Sequence, residues 1–259
     1  MTESTATRWP PGRMLRWIFG LQLIFAAVLL GSDLMRVIPQ IVFPSNAPAI
    51  TQPLGPGDQT RRYDPARIDP RPARPGSRPI PTTTDMPSRL DFVDTVWQGE
   101  PTITLTGQIA PGDADRLTEF LATVDPAPTQ AFLNSPGGSV QDALAMGRAL
   151  RALGVATRMT ASDICLSACP YLLAAGQTRT VEDGALVGVH QHYFGENTAL
   201  PAFMAVSDIQ RGQGEVMEYL SDMGIDPLLM RPALATPPDE IYLLTPEEMQ
   251  QYRLTTDAD

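Results

Sequence analysis

The chain has 259 residues, 43% of them hydrophobic and 19% charged, and a formal net charge of −10. That length holds one or two domains of ordinary composition. The acidity, with no basic stripe carrying interleaved aromatics, excludes nucleic acid as a partner. No zinc-type Cys/His spacing and no phosphate-cradling glycine loop occurs, so no metal and no cofactor is expected.

No charged side chain occurs from Trp17 to Ser32, a run of sixteen residues, and Leu34, Met35, Val37 and Ile38 prolong it past Asp33. A spanning helix wants about 20 apolar residues, so residues 17–38 read as a short transmembrane anchor whose flanking arginines snorkel. Arg8, Arg13 and Arg16 precede the run and only Arg36 follows closely. This places residues 1–16 in the cytoplasm and the bulk of the chain outside, on the periplasmic side of an inner membrane. A cleaved signal peptide is the first competitor, but the only good Ala-x-Ala, Ala47-Pro48-Ala49, lies far downstream and carries a proline. A buried helix is the second. Residues 39–89 are dominated by proline, arginine and threonine without hydrophobic periodicity, the composition of an extended, disordered linker. The soluble domain is then residues 90–259.

Within it, strand and helix signals alternate. Thr102 to Ile109 alternates as a strand, and Asp113 to Val124 carries Leu117, Phe120, Leu121 and Val124 at helical spacing. Ala131 to Asn134 is a short buried strand ending in Ser135-Pro136-Gly137-Gly138. Ser139 caps a helix whose Ala143, Leu144, Met146, Gly147, Leu150 and Leu153 face inward until Gly154 stops it. Val155 to Thr160 is a strand, Ser167 to Ala175 a short apolar helix and Val187 to Phe194 a further strand. Ala202 to Met223 is a longer helix weakened by Gly212 and Gly214. The order predicts an α/β fold with crossovers and parallel strands.

The chemistry gathers where these elements end. A serine hydroxyl needs a base within hydrogen-bond reach and donors for the oxyanion that forms. The Gly137-Gly138 turn brings a backbone N–H close to a substrate carbonyl, and a second N–H comes from Ala168, directly after Ser167, at a helix start. His190 and His192 are the only histidines, on one face of one strand by alternation. The bland readings are an ordinary Pro-Gly-Gly turn, a capping serine and a core histidine. Cys165 and Cys169 bracket the serine, either as a disulfide in an oxidising compartment or as two small buried thiols.

The segments Asn134-Ser135-Pro136-Gly137-Gly138-Ser139-Val140, then Ser167 ahead of Leu172-Leu173-Ala174-Ala175-Gly176, then Val189-His190-Gln191, resemble the proteolytic subunit of the Clp protease over roughly Thr102 to Leu254. The resemblance implies a Clp/crotonase-like ββα superhelix. It makes Ser167 the nucleophile and His190 the base, with Gly138 and Ala168 as oxyanion donors. The segment from serine to histidine is shorter than in that family, and counting without a gap selects His192. The Val-His-Gln context selects His190. The family's third residue is an aspartate opening the strand before a Leu-Ser-x-x-Glu helix start, which Leu244-Thr245-Pro246-Glu247-Glu248 matches. Ile241 stands at the aligned position, so Asp239, of the same strand parity, is the candidate acid, with Glu240 or a plain dyad as alternatives. The signal peptide peptidase A proteases join this fold to an N-terminal anchor but use a lysine base. All nineteen basic residues of this chain are arginine, and arginine does not surrender its proton.

The expectation is a membrane-anchored extracytoplasmic serine peptidase acting on a peptide or protein substrate. A catalytically inactive binding or assembly module of the same fold is the alternative. The long helix after Phe194 corresponds to a subunit-packing insertion in the resembling family, so the resemblance is compatible with a homo-oligomer.

Overall fold

The computed structural model describes residues 11–42, 50–53, 57–68, 70–81, 85–192 and 202–256. The chain divides into two units, Met1–Ala47 and Pro48–Asp259. The first contains α1 (Pro11–Val42), which at a rise of about 1.5 Å per residue is roughly 48 Å long. Among the described residues no helix is long and apolar enough to cross a membrane. The side chains of residues 32–42, the second part of the expected anchor, lie outside the described set.

The second unit is mixed α/β with two mixed sheets. One runs in the order β2 (Asp91–Trp97), β3 (Glu100–Thr106), β4 (Gln130–Asn134), β5 (Ala156–Met159) and β7 (Arg179–Val181). The strands from β3 to β7 pair in parallel, as the crossovers predict, but β2 is antiparallel to β3. The β2–β3 hairpin turns on Gln98 and Gly99, both at positive φ, the conformation that a two-residue turn needs to match strand twist. The smaller sheet has the order β1 (Thr60–Arg62), β9 (Glu240–Leu243), β8 (Leu186–Val189), β6 (Ile164–Leu166). Only β6 and β8 are parallel in it.

Helices α2 (Asp113–Leu121), α3 (Val140–Leu153), α4 (Cys169–Ala174), α5 (Ala202–Asp222), α6 (Met230–Ala235) and α7 (Pro246–Gln251) complete the unit. Local chemistry sets several of their ends. The Ser139 side chain accepts from the Asp142 N–H at the start of α3, and Gly154 stops that helix at φ 72°. Thr245 and Glu248 form a reciprocal capping box on α7. Ala143, Leu144, Met146, Gly147 and Leu150 face the core as expected, whereas Leu153 is 45% exposed. A side chain on Gly147 would collide with the buried Tyr219 hydroxyl, which donates to the Tyr171 carbonyl at 2.7 Å and so ties α5 to α4.

The linker expectation needs correction. Residues of the 39–89 segment form β1 and pack on the sheet as a strap. The reason lies in the alternation of the small sheet. Cys165, Val187 and Val189 turn into the main core, while Ile164, Leu166, Leu186, Ile241 and Leu243 form a second apolar cluster. That cluster is covered by Ile50, Tyr63, Ile68 and Met86. Polar contacts hold the strap in place. The Gln59 side-chain amide donates to Tyr242 Oη at 2.7 Å and Glu248 Oε2 at 2.8 Å, and Arg71 donates to the Gly184 carbonyl at 2.7 Å. Arg78 forms a buried ion pair with Asp163 at 3.3 Å. Asp163 also accepts from the backbone N–H and hydroxyl of Thr160.

A buried guanidinium that loses its counter-charge cannot neutralise by deprotonation. Asp163→Ala is therefore expected to lower unfolding free energy by about 3 kcal/mol or more, read as a lower urea midpoint. A loss below about 1 kcal/mol would mean that Arg78 is solvated and the strap is not held there.

Candidate active site

The site is built where the two sheets join. After β4, Ser135 bridges in parallel to Cys165 of β6, donating its N–H to the Ile164 carbonyl at 2.8 Å and accepting from the Leu166 N–H at 3.1 Å. Asn134 Oδ1 accepts from the Ile164 N–H at 3.1 Å, and Ser135 Oγ accepts from the Gly137 N–H at 3.1 Å. The Asn-Ser-Pro-Gly-Gly-Ser motif thus spends its first two side chains on holding β6 and its own turn.

Ser167 follows β6 directly and has φ 60°, a left-handed conformation that costs a β-carbon-bearing residue about 1 kcal/mol. It is held there by its N–H, which donates to the Gly188 carbonyl at 2.9 Å, and by the Cys165–Cys169 disulfide that brackets it. Both cysteines are fully buried, Cys165 on β6 and Cys169 at the first residue of α4. Of the two readings open at the sequence level, the disulfide is the one formed.

Because β8 runs parallel to β6 with Leu166 opposite Gly188, the chain leaving β8 arrives beside the serine. His190 Nε2 lies 2.7 Å from Ser167 Oγ. His192, expected on the same face, goes elsewhere, its Nε2 lying 2.6 Å from the Tyr171 hydroxyl. Of the two histidines, it is His190 that meets Ser167. His190 is 5% exposed, and burial holds it below its ordinary value although the Pro238 and Pro237 carbonyls oppose this. Those carbonyls close no hydrogen bond of proper geometry, since Nδ1 of His190 is buried without a partner among the described residues.

Asp239 is not that partner. Its side chain is exposed, just ahead of β9, and what it gives the site is its backbone carbonyl, which accepts from the Tyr63 N–H at 2.9 Å. Glu240 heads β9 and does not reach the imidazole either. Among the described residues the arrangement is a Ser–His pair with no carboxylate at Nδ1.

The Gly137 carbonyl accepts from the Ile109 N–H at 2.8 Å, and the Ser139 N–H donates to the Ile109 carbonyl at 2.8 Å. Gly138 lies between them, so by ladder alternation its N–H turns away from Ile109. Neither this amide nor that of Ala168 has an acceptor among the described residues. They remain available as the expected oxyanion donors. Gly137, the first glycine of the Pro-Gly-Gly turn, is the one that lies against Ser167. At φ 100°, a Cβ there would lie 2.6 Å from Ser167 Cβ and 3.0 Å from the Ala168 nitrogen.

Tyr63 was missed altogether. Its ring meets the His190 ring edge-to-face at 4.8 Å, and its hydroxyl donates to the Pro136 carbonyl and faces that of Ser167. Burial raises the phenol's pKa, so the hydroxyl stays protonated. The one available signal is that Tyr63 is the only aromatic residue between Phe43 and Phe92.

No protein-family model matches the chain, and no curated protein matches it.

Burial sets a pH dependence of stability. His190 lies below the ordinary 6.5 and His192 is lowered from 6.5 to about 4, by burial first and by His190 second. Beneath about pH 6.5 the unfolded chain therefore binds protons that the folded chain refuses. The contribution of both groups is full above that pH and declines as the pH falls towards 4. A urea midpoint that falls from pH 7 to pH 5 in the wild type, and falls less in His192→Gln, is the expected result. Equal pH slopes would show His192 to be solvated.

Proposed function

We propose that the chain is a serine hydrolase of Clp/crotonase-like fold that cleaves peptide or protein acyl groups, and that α1 anchors it in a membrane. One observation carries the reading. A serine in a strained strand-to-helix turn hydrogen-bonds a buried, neutral imidazole, beside two backbone amides without acceptors. In the reaction, Ser167 Oγ bonds to the substrate carbonyl carbon as its proton passes to His190 Nε2. The Gly138 and Ala168 amides stabilise the oxyanion. Collapse of the intermediate breaks the acyl–nitrogen bond, and the leaving amine takes the proton from His190. Water then gives its proton to the same nitrogen, attacks the acyl-serine and releases the acid, and Ser167 recovers its proton.

The anchor rests on α1. Trp17, Phe19, Leu21, Leu23, Ile24, Val28 and Leu30 are exposed around it, and a helix that is apolar on all sides needs an apolar medium. With Arg8, Arg13 and Arg16 on one flank, Pro48–Asp259 would lie on the extracytoplasmic side, where the Cys165–Cys169 disulfide is stable. The full chain should remain in the membrane pellet after an alkaline carbonate wash, and release to the supernatant would overturn the anchor.

The unpartnered Nδ1 of His190 favours a second reading, a binding module that keeps the fold without turnover. A fluorophosphonate probe on the full chain separates the two. The hydrolase reading expects labelling of the wild type and none of Ser167→Ala. It also expects a loss of about 10²-fold or more in His190→Ala, with labelling kept in His192→Gln. A folded wild type that never labels favours the binding module.

A further inference from the structure

We propose that Tyr63 is a positioning residue for His190, its ring holding the imidazole in the plane that a carboxylate holds in a complete triad. This rests on the hydrolase reading of Ser167 and His190 and assigns the strap a part in the site.

With Ser167 donating to Nε2, the proton of neutral His190 sits on Nδ1, which no acceptor fixes among the described residues. One hydrogen bond at Nε2 fixes the ring less firmly than the two, at Nε2 and Nδ1, of a complete triad. Among the described residues, the groups that face it are Ser167 from the β6–α4 turn, Tyr63 from the strap, His192 from its own segment and the Pro237 and Pro238 carbonyls. None is an acid or a cation near neutral pH. Tyr63 is the one of these in ring contact with it, edge-to-face at 4.8 Å with an interplanar angle of 61°, the arrangement that aromatic quadrupoles favour.

For a ring to orient its neighbour it must itself be fixed, and Tyr63 is fixed at both ends. Its N–H donates to the Asp239 carbonyl as the continuation of the β1–β9 ladder, in which Arg62 pairs with Glu240. Its hydroxyl donates to the carbonyl of Pro136, the residue before the oxyanion turn. The same side chain therefore touches the base, faces the nucleophile and binds the turn, from a segment remote from all three in sequence. Tyr63 also shields His190 from water, so removing the ring would both loosen the imidazole and return its pKa towards 6.5.

The test uses the full chain, whose two histidines give two resolvable imidazole signals under selective isotopic labelling. Tyr63→Leu keeps apolar bulk on the strap but deletes the ring, and Tyr63→Phe keeps the ring and loses the hydroxyl. The expected result is a roughly 10²-fold slower fluorophosphonate reaction for Tyr63→Leu, with most of the rate kept by Tyr63→Phe. The pH midpoint of labelling and the His190 NMR titration should both move up in Tyr63→Leu alone. A purely structural role for Tyr63 would lower the melting temperature without moving that midpoint, and would overturn the proposal. So would a Tyr63→Leu variant that labels as fast as wild type or faster, the behaviour of an obstructing ring. Nuclear Overhauser contacts between the Tyr63 and His190 rings in the wild type provide a check independent of any variant, and their absence sinks it. A wild type that never labels counts against the hydrolase reading alone, because the titration and the ring contacts still decide what Tyr63 does.

Discussion

The hydrogen bonds that join the end of β4 to β6 are the constraint on which the rest of the site depends. Ser135 exchanges two backbone bonds with Ile164 and Leu166, and Asn134 adds a third through its side chain. These groups are almost wholly buried, so losing one partner would cost the desolvation of the other, about 1–3 kcal/mol, rather than the smaller net value of the bond. The pairing welds the larger sheet to the smaller one. On one side of it the chain turns into Pro136-Gly137-Gly138, and on the other it turns into Ser167. Ser167 and the Gly138 and Ala168 amides are therefore placed by a single junction, and neither side can shift without the other.

The same junction explains what the sequence reveals and what it hides. The ends of α3 are legible because capping is local, with Ser139 and Gly154 each acting within a few residues of themselves. Ser167, His190, Gly138 and Ala168 are legible because short motifs flank them, and β6 and β8 bring two of those motifs together in register. The strap is not legible. β1 has three residues, too few for a period, and Ile50, Ile68 and Met86 cover the sheet one at a time with no repeat between them. Strand addition at a sheet edge follows from the vacancy opposite, which here is the apolar face formed by Ile164, Leu166, Leu186, Ile241 and Leu243. Asp239 misleads for a related reason. Strand parity puts its side chain on the right face only if β9 already runs there, and β9 begins one residue later, at Glu240.

Arginine usage links stability to chemistry. Arg89 and Arg116 converge on buried Asp113, Arg151 donates to the Ala174 and Met223 carbonyls, and Arg179 reaches the carbonyls of Gly176, Arg253 and Leu254. A guanidinium presents five donors in a rigid fork and satisfies such dispersed carbonyls at once, which a lysine ammonium on its flexible stem does less well. The clamps that knit the domain are thus cations that never give up a proton, and with no lysine in the chain the proposed proton transfer from Ser167 is left to an imidazole.

A neutral imidazole can be secured by a carboxylate or by enclosure, and among the described residues His190 has the enclosure alone. A carboxylate at Nδ1 fixes the tautomer and also stabilises the imidazolium that forms as the serine is deprotonated. Enclosure by Tyr63, the Pro237 and Pro238 carbonyls and the sheet favours the neutral form of His190, but among the described residues it would offer no anion to an imidazolium formed in hydrolysis. Among the described residues the two carbonyl dipoles are the compensation on that side, and they lie outside hydrogen-bond geometry. For a hydrolase, transition-state stabilisation would then come mainly from the oxyanion side, where the Gly138 and Ala168 amides have no acceptor among the described residues. In such a site the rate depends on how closely the serine and those amides are held together, and the β4–β6 junction with its bracketing disulfide supplies that rigidity.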